Sequence, residues 1–235
     1  MRKQRILYVI TFILLLLGMM FFSYIPIELF NINYEAFSTT MKLVYMFICD
    51  IGYMLILFLI YKDKIINDFK DYFKNFGSNF ELSFKYYFIG VIVMIVSNLI
   101  ISFFITNAIA GNEETVRSMI DQAPLYMIFS VSIYAPFVEE LLFRHSIKKC
   151  SLCYGDTKSN RLKYIFMSGF IFAALHIIGQ VNSYIDYIYI IPYMSLGVAF
   201  AALYAKSDNI FSSIMMHALH NTVTIILYFM VGGII

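Results

Sequence analysis

The sequence predicts an all-α protein: a polytopic transmembrane helix bundle of about seven spans, with its N-terminus in the cytoplasm. Three observations carry that expectation. Of 235 residues, 61% are hydrophobic and 14% charged, with mean hydropathy +0.77, too apolar for a soluble domain of this size. The apolar residues fall in runs of about twenty, the length that crosses a bilayer as a helix. Finally, 14 of the 17 lysines and arginines lie on segments that such a topology leaves inside the cell, as the positive-inside rule requires. Only Lys42 and Arg117 fall outside, and Arg144 lies within a span.

The elements follow in order. Arg2, Lys3 and Arg5 precede the apolar run 6–22; no small-residue cleavage site follows it, so it reads as a retained first span. A second span covers about 42–61, with Asp50 near its middle, and the mixed-charge stretch 62–83 reads as an amphipathic helix on the membrane surface. The third covers about 86–110 and is followed by a polar loop, 111–123, containing Glu113, Glu114, Arg117 and Asp121. Pro124 opens the fourth, which runs to about Ile147 before a basic loop, 148–163. The fifth is 164–180, the sixth 184–205 and the seventh 210–231. The chain divides into N-terminal spans with their surface segment (1–123) and a C-terminal bundle (124–235) that carries the unusual polar residues. There is no Trp, so interfacial anchoring falls to the 19 Tyr. Cys150 and Cys153 form a lone C-x-x-C without further zinc ligands or a βαβ context, and are expected as free thiols.

Those polar residues are Glu139, Glu140 and Arg144 in the fourth span, His176 in the fifth, and His217, His220 and Asn221 in the seventh. A charged group at the centre of a membrane helix costs about 2.5–3.5 kcal/mol on insertion scales, so it has partners or a use. Glu140 and Arg144 stand four apart with the acid first, the favourable order for an ion pair. Glu139 lies about 100° round the helix and is left for chemistry; the alternative is one structural network of all three. At about 1.5 Å per residue, Glu139 and His217 lie about 12 Å from the cytoplasmic ends and His176 about 18 Å, a gap that tilt could close. Two uses suit the set. A carboxylate and a histidine can hold and deprotonate water while a second histidine and an amide stabilise an oxyanion. Alternatively, Glu139, His176 and His217 would be three ligands of a divalent metal such as zinc.

Glu139-Glu140-x-x-x-Arg144, Phe172-x-x-x-His176 and His217-x-x-x-Asn221, in that order on three late spans, resemble the CAAX protease and bacteriocin-processing (CPBP, or Abi) family, which includes the Rce1-type prenyl endopeptidases. The likeness covers about 124–230. It implies an intramembrane endopeptidase with Glu139 as general base, His176 as its water-binding partner, His217 and Asn221 as oxyanion donors, and Glu140 and Arg144 in support. It gives His220 no role. It also implies a mechanism without a cofactor, the metal alternative standing beside it. Expected partners are the lipid bilayer and a hydrophobic or amphipathic peptide or membrane-protein substrate, such as a pheromone or bacteriocin precursor, entering between helices. No nucleic acid is expected. The expected location is the cell membrane, multi-pass, with the site opening toward the cytoplasm. A second reading is a non-catalytic bacteriocin-immunity or regulatory protein that acts by binding. A third, an ion-coupled transporter using Asp50, Glu139 and the histidines, lacks the internal duplication common in such folds.

Overall fold

The computed structural model describes residues 2–105, 110–151, 156–181 and 184–231. The described residues form helices and no strand. The ten α-helices are α1 (Arg2–Phe21), α2 (Tyr24–Leu29), α3 (Thr39–Ile60), α4 (Lys62–Lys74), α5 (Phe76–Phe104), α6 (Gly111–Gln122), α7 (Pro124–Cys150), α8 (Lys158–Ile177), α9 (Ile190–Ser207) and α10 (Ile210–Met230). Six are long and apolar enough to cross a membrane: α1, α3, α5, α7, α9 with the 3₁₀ turn that leads into it, and α10. The protein is an all-α polytopic bundle.

The expected fifth span differs from these six. Lys158, Arg161 and Lys163 occupy the start of α8, so its apolar part, 164–177, is about 21 Å long, short of a hydrocarbon core of about 30 Å. It nevertheless runs from one end of the bundle to the other. At one end, Lys64 and Lys148 converge on Asp208, with Lys148 Nζ 2.6 Å from its carboxylate. At the other, Thr115 Oγ1 meets Gln180 Oε1 at 3.1 Å. Tyr45 Oη donates to the Ser23 carbonyl and Tyr53 Oη to that of Leu15, so α1 and α3 are antiparallel and the N-terminal end of α1 joins the Lys64 end. The basic connections therefore gather at one end of the molecule, hereafter the basic end.

Two polar segments have more structure than their composition suggests. The stretch 111–123 is mostly helix α6: Glu113 and Glu114 sit in its first turn, where carboxylates favour a helix N-terminus, and Glu113 pairs with Arg117 at 2.5 Å. The stretch 62–83 divides at Asn75, whose side chain bonds back to Asp71. Its first part is α4 and its second begins α5. Cys153 lies outside the described residues; Cys150 is buried, and Cys49 is a buried free thiol.

The largest core cluster joins Leu15, Tyr53, Leu57 and Ile65 to Val138, Leu141, Leu142, Phe172, Tyr204 and Ile214, so the early helices pack directly on the later ones. At the α8–α9 crossing, Gly169 faces Gly197. A Cβ on Gly169 would lie 2.5 Å from Val198 Cγ2, and one on Gly197 3.0 Å from the Gly169 backbone. This close, small-residue approach brings Phe172 of α8 and Phe200 of α9 onto one buried guanidinium. α10 is held by α4: Asp68 Oδ2 accepts from the Ile210 N–H at 2.7 Å, and Asn209 Nδ2 donates to Asp71 Oδ2 at 3.0 Å.

Candidate active site

α7 is not a regular α-helix. At Ser130–Tyr134 and Glu140–Ser146 its turns widen to the five-residue π pattern, a feature that recurs at functional sites. In the first, the Ala135 N–H donates to the Ser130 carbonyl. The next carbonyl in that register, on Val131, would take its hydrogen from residue 136, which is Pro and has none. Asn221 of α10 fills the place, Nδ2 donating to the Val131 carbonyl at 2.8 Å.

Below this turn the acidic pair separates into two environments. Glu140 and Arg144 are fully buried and joined by two bonds, from Nε at 2.9 Å and Nη2 at 3.1 Å. Arg144 Nη1 also donates to Ser168 Oγ at 3.0 Å, and Ser168 donates to the Phe143 carbonyl at 2.7 Å. The guanidinium lies 4.8 Å from the Phe172 ring and 5.9 Å from that of Phe200, aromatic faces that favour a desolvated cation. Glu139 makes none of these contacts. Its Oε2 is buried without a hydrogen-bond partner among the described residues and faces two imidazoles, with His176 Nε2 at 4.0 Å and His217 Nε2 at 3.9 Å. The depth gap closes because helical side chains lean toward their helix's N-terminus. α8 starts at the basic end, and His176 folds back so that Nδ1 bonds the Phe172 carbonyl at 2.8 Å.

The partners fix both tautomers. Phe172 O only accepts, so His176 Nδ1–H donates and the neutral ring presents an Nε2 lone pair. His217 Nδ1 lies 3.0 Å from Glu140 Oε1, a carboxylate already committed to Arg144, so it too donates and leaves Nε2 facing Glu139. Ring stacking holds both imidazoles: His176 on Tyr193 at 4.9 Å and His217 on Phe200 at 5.3 Å. Tyr193 Oη in turn accepts from Asn112 Nδ2 of α6 at 3.4 Å.

Glu139 Oε2 thus lies about 4 Å from each of two imidazole nitrogens. Two groups each about 2.8 Å from a common oxygen and at right angles to one another are about 4.0 Å apart, which matches the 4.0 and 3.9 Å from Glu139 Oε2 to the two nitrogens. Ligands about 2.0–2.2 Å from a tetrahedral cation would be only about 3.4 Å apart. The spacing suits a water molecule without rearrangement; a metal would draw the three inward.

A family model described as type II CAAX prenyl endopeptidase Rce1-like matches residues 121–223. In that segment the chain is similar to this family. It holds all six residues singled out from the sequence: Glu139, Glu140, Arg144, His176, His217 and Asn221. A Bacillus subtilis (strain 168) protein named "Putative membrane peptidase YdiL" is 31% identical over 116 residues, 49% of this chain and 42% of that protein. The chain thus matches under half the length of this relative. No solved structure matches.

Within the matched segment, sequence reasoning missed Ser168, Phe200 and Tyr193, and the contact of Asn221 with Val131. Pro136 in mid-helix was the available signal for the last. The other histidines turn elsewhere: His145 Nδ1 to Tyr204 Oη at 2.7 Å, and His220 Nδ1 to Tyr87 Oη at 3.5 Å. Between Glu139 and the basic end, no residue from Glu140 to Ile147 is more than 6% exposed, whereas the Glu139 and His176 side chains are 17% and 19% exposed.

Proposed function

We propose that the protein is an intramembrane endopeptidase that hydrolyses peptide bonds of membrane-associated peptide or protein precursors, with Glu139 activating water. The observation that carries this reading is the buried, unbonded Oε2 of Glu139 facing two imidazole Nε2 atoms at 3.9 and 4.0 Å. In this reading Glu139 Oε2 and His176 Nε2 accept the two hydrogens of a water. As the water oxygen attacks the scissile carbonyl carbon, one proton passes to Glu139, which then delivers it to the departing amine nitrogen. The carbonyl oxygen becomes an oxyanion and needs donors. His217 supplies one when its Nε2 carries a proton, its Nδ1 being held by the Glu140 carboxylate. Asn221 supplies the other from its second amide hydrogen, the first being bonded to Val131. Glu140 and Arg144 act through His217, as positioning residues.

In this reading the substrate reaches the site from the flank of the bundle, between helices; toward the basic end, the stretch of α7 from Glu140 to Ile147 is buried. We place the basic end in the cytoplasm, on charge distribution. The test is cleavage of membrane-associated peptides by purified protein. Glu139→Gln and His176→Ala are expected to abolish cleavage while membrane insertion and expression stay normal; unchanged turnover in both would overturn the reading. Activity that survives chelation supports the water mechanism, and activity lost to chelators and restored by zinc would favour a metal held by Glu139, His176 and His217.

A further inference from the structure

Asp50 lies near the middle of α3, and its Oδ2 accepts from Tyr126 Oη of α7 at 3.0 Å. Other acids buried or half-buried within the helices have a cation or imidazole within 4.0 Å: Asp68 has Lys64, Glu113 has Arg117, Glu140 has Arg144 and His217, and Glu139 has the two histidines. Asp50 has none among the described residues. An ionisable group inside a membrane span without its own counter-charge marks a path or a binding position.

Its placement ties it to the same site. α3 packs on the two turns of α7, Ser130–Tyr134 and Ala135–Glu139, that lead into the catalytic glutamate. Tyr134, in the first of them, stands within electrostatic reach of both Asp50 and Glu139. Phe47 and Phe129, flanking Asp50 and Tyr126, meet edge to face at 4.7 Å and hold the two helices in register there. Along α7, Tyr126 and Glu139 are about 20 Å apart, the length of about six residues of extended chain.

We propose that Asp50 is a specificity subsite for a cationic group of the substrate, a lysine or arginine side chain or an amino terminus, lying within about six residues of the bond cleaved. This rests on the peptidase reading of Glu139 and names the class of peptide that site takes. In the low-dielectric flank of the bundle, a substrate cation completes the pair that the protein leaves open, while an acidic residue at that position is rejected.

The experiment uses full-length protein in nanodiscs of phosphatidylethanolamine and phosphatidylglycerol, with apolar Ala/Leu peptides in which one lysine, norleucine or glutamate is walked along the chain. Both cleavage and binding by fluorescence anisotropy are read. Wild type is expected to prefer lysine over norleucine by about tenfold or more at one position within that distance of the cut. Asp50→Asn, with an unchanged melting temperature, is expected to bring the two peptides to parity, and Asp50→Lys to prefer glutamate. An equal lysine preference in Asp50→Asn, or none in wild type, would overturn the proposal. The readouts separate the two readings. If no peptide is cut but lysine peptides bind wild type over Asp50→Asn, the subsite stands and the peptidase reading fails. If cleavage depends on Glu139 but not on Asp50, the reverse holds.

Discussion

Arg144 matters at the scale of single residues because it cannot be removed alone. Its guanidinium satisfies both oxygens of a carboxylate that is 0% exposed, and taking away one partner of such a pair leaves a buried charge uncompensated. Arg144→Ala is therefore expected to destabilise the protein by about 3–5 kcal/mol, read as a lowered melting temperature in detergent. Arg144→Lys should recover only part of this, since an ammonium cannot reproduce the two-pronged bond or reach Ser168 in the same geometry. A variant as stable as wild type would show that Glu140 is not held as described. The i,i+4 spacing made this pair legible, and the offset of Glu139 suggested its separate use. Ser168, Phe172 and Phe200 around the guanidinium were not legible as its partners, because nothing in a run of small and apolar residues says which of them turns toward a distant helix.

The decisive element is α7, and its irregularity has a chemical cause. Pro136 lacks the N–H that the Val131 carbonyl would otherwise receive, and Asn221 supplies it across the interface from α10. Asn221→Ala should leave a carbonyl unbonded in a membrane interior, at about 1–3 kcal/mol, and loosen α10 against α7. Restoring a backbone donor with Pro136→Ala is expected to return most of the lost stability in the double variant, but not its activity, because the amide hydrogen proposed to stabilise the oxyanion is still gone. Melting temperature and turnover measured on the four proteins of this cycle check the idea. If Pro136→Ala restores both, Asn221 is purely structural. Helix existence was readable along the chain, whereas the π turns were not: they depend on a partner eighty-five residues away from the proline. The same holds for α8, where three early basic residues shorten the apolar stretch, and where the Gly169–Gly197 contact that seats it on α9 involves two glycines unremarkable in sequence.

For the whole molecule, sidedness was read from charge alone, and the fold shows which connections share an end of the bundle. Lys64, Lys148 and Asp208 meet at one end, while Gly111, Thr115 and Gln180 meet at the other. α8 must therefore pass between them, although its apolar part is shorter than that of the six long apolar helices. That arrangement predicts opposite accessibility for residues at the two ends. In a background with Cys49, Cys150 and Cys153 replaced by Ser, and with cleavage retained as the check on folding, single cysteines at exposed Lys206 and Glu114 would be challenged with a membrane-impermeant maleimide. Glu114→Cys is expected to label in intact cells and Lys206→Cys only after permeabilisation, since basic segments stay on the cytoplasmic side. The reverse pattern would invert the molecule in the membrane and leave its internal geometry intact. Labelling of both from the same side would contradict the crossing of α8, and with it the depth at which His176 meets Glu139.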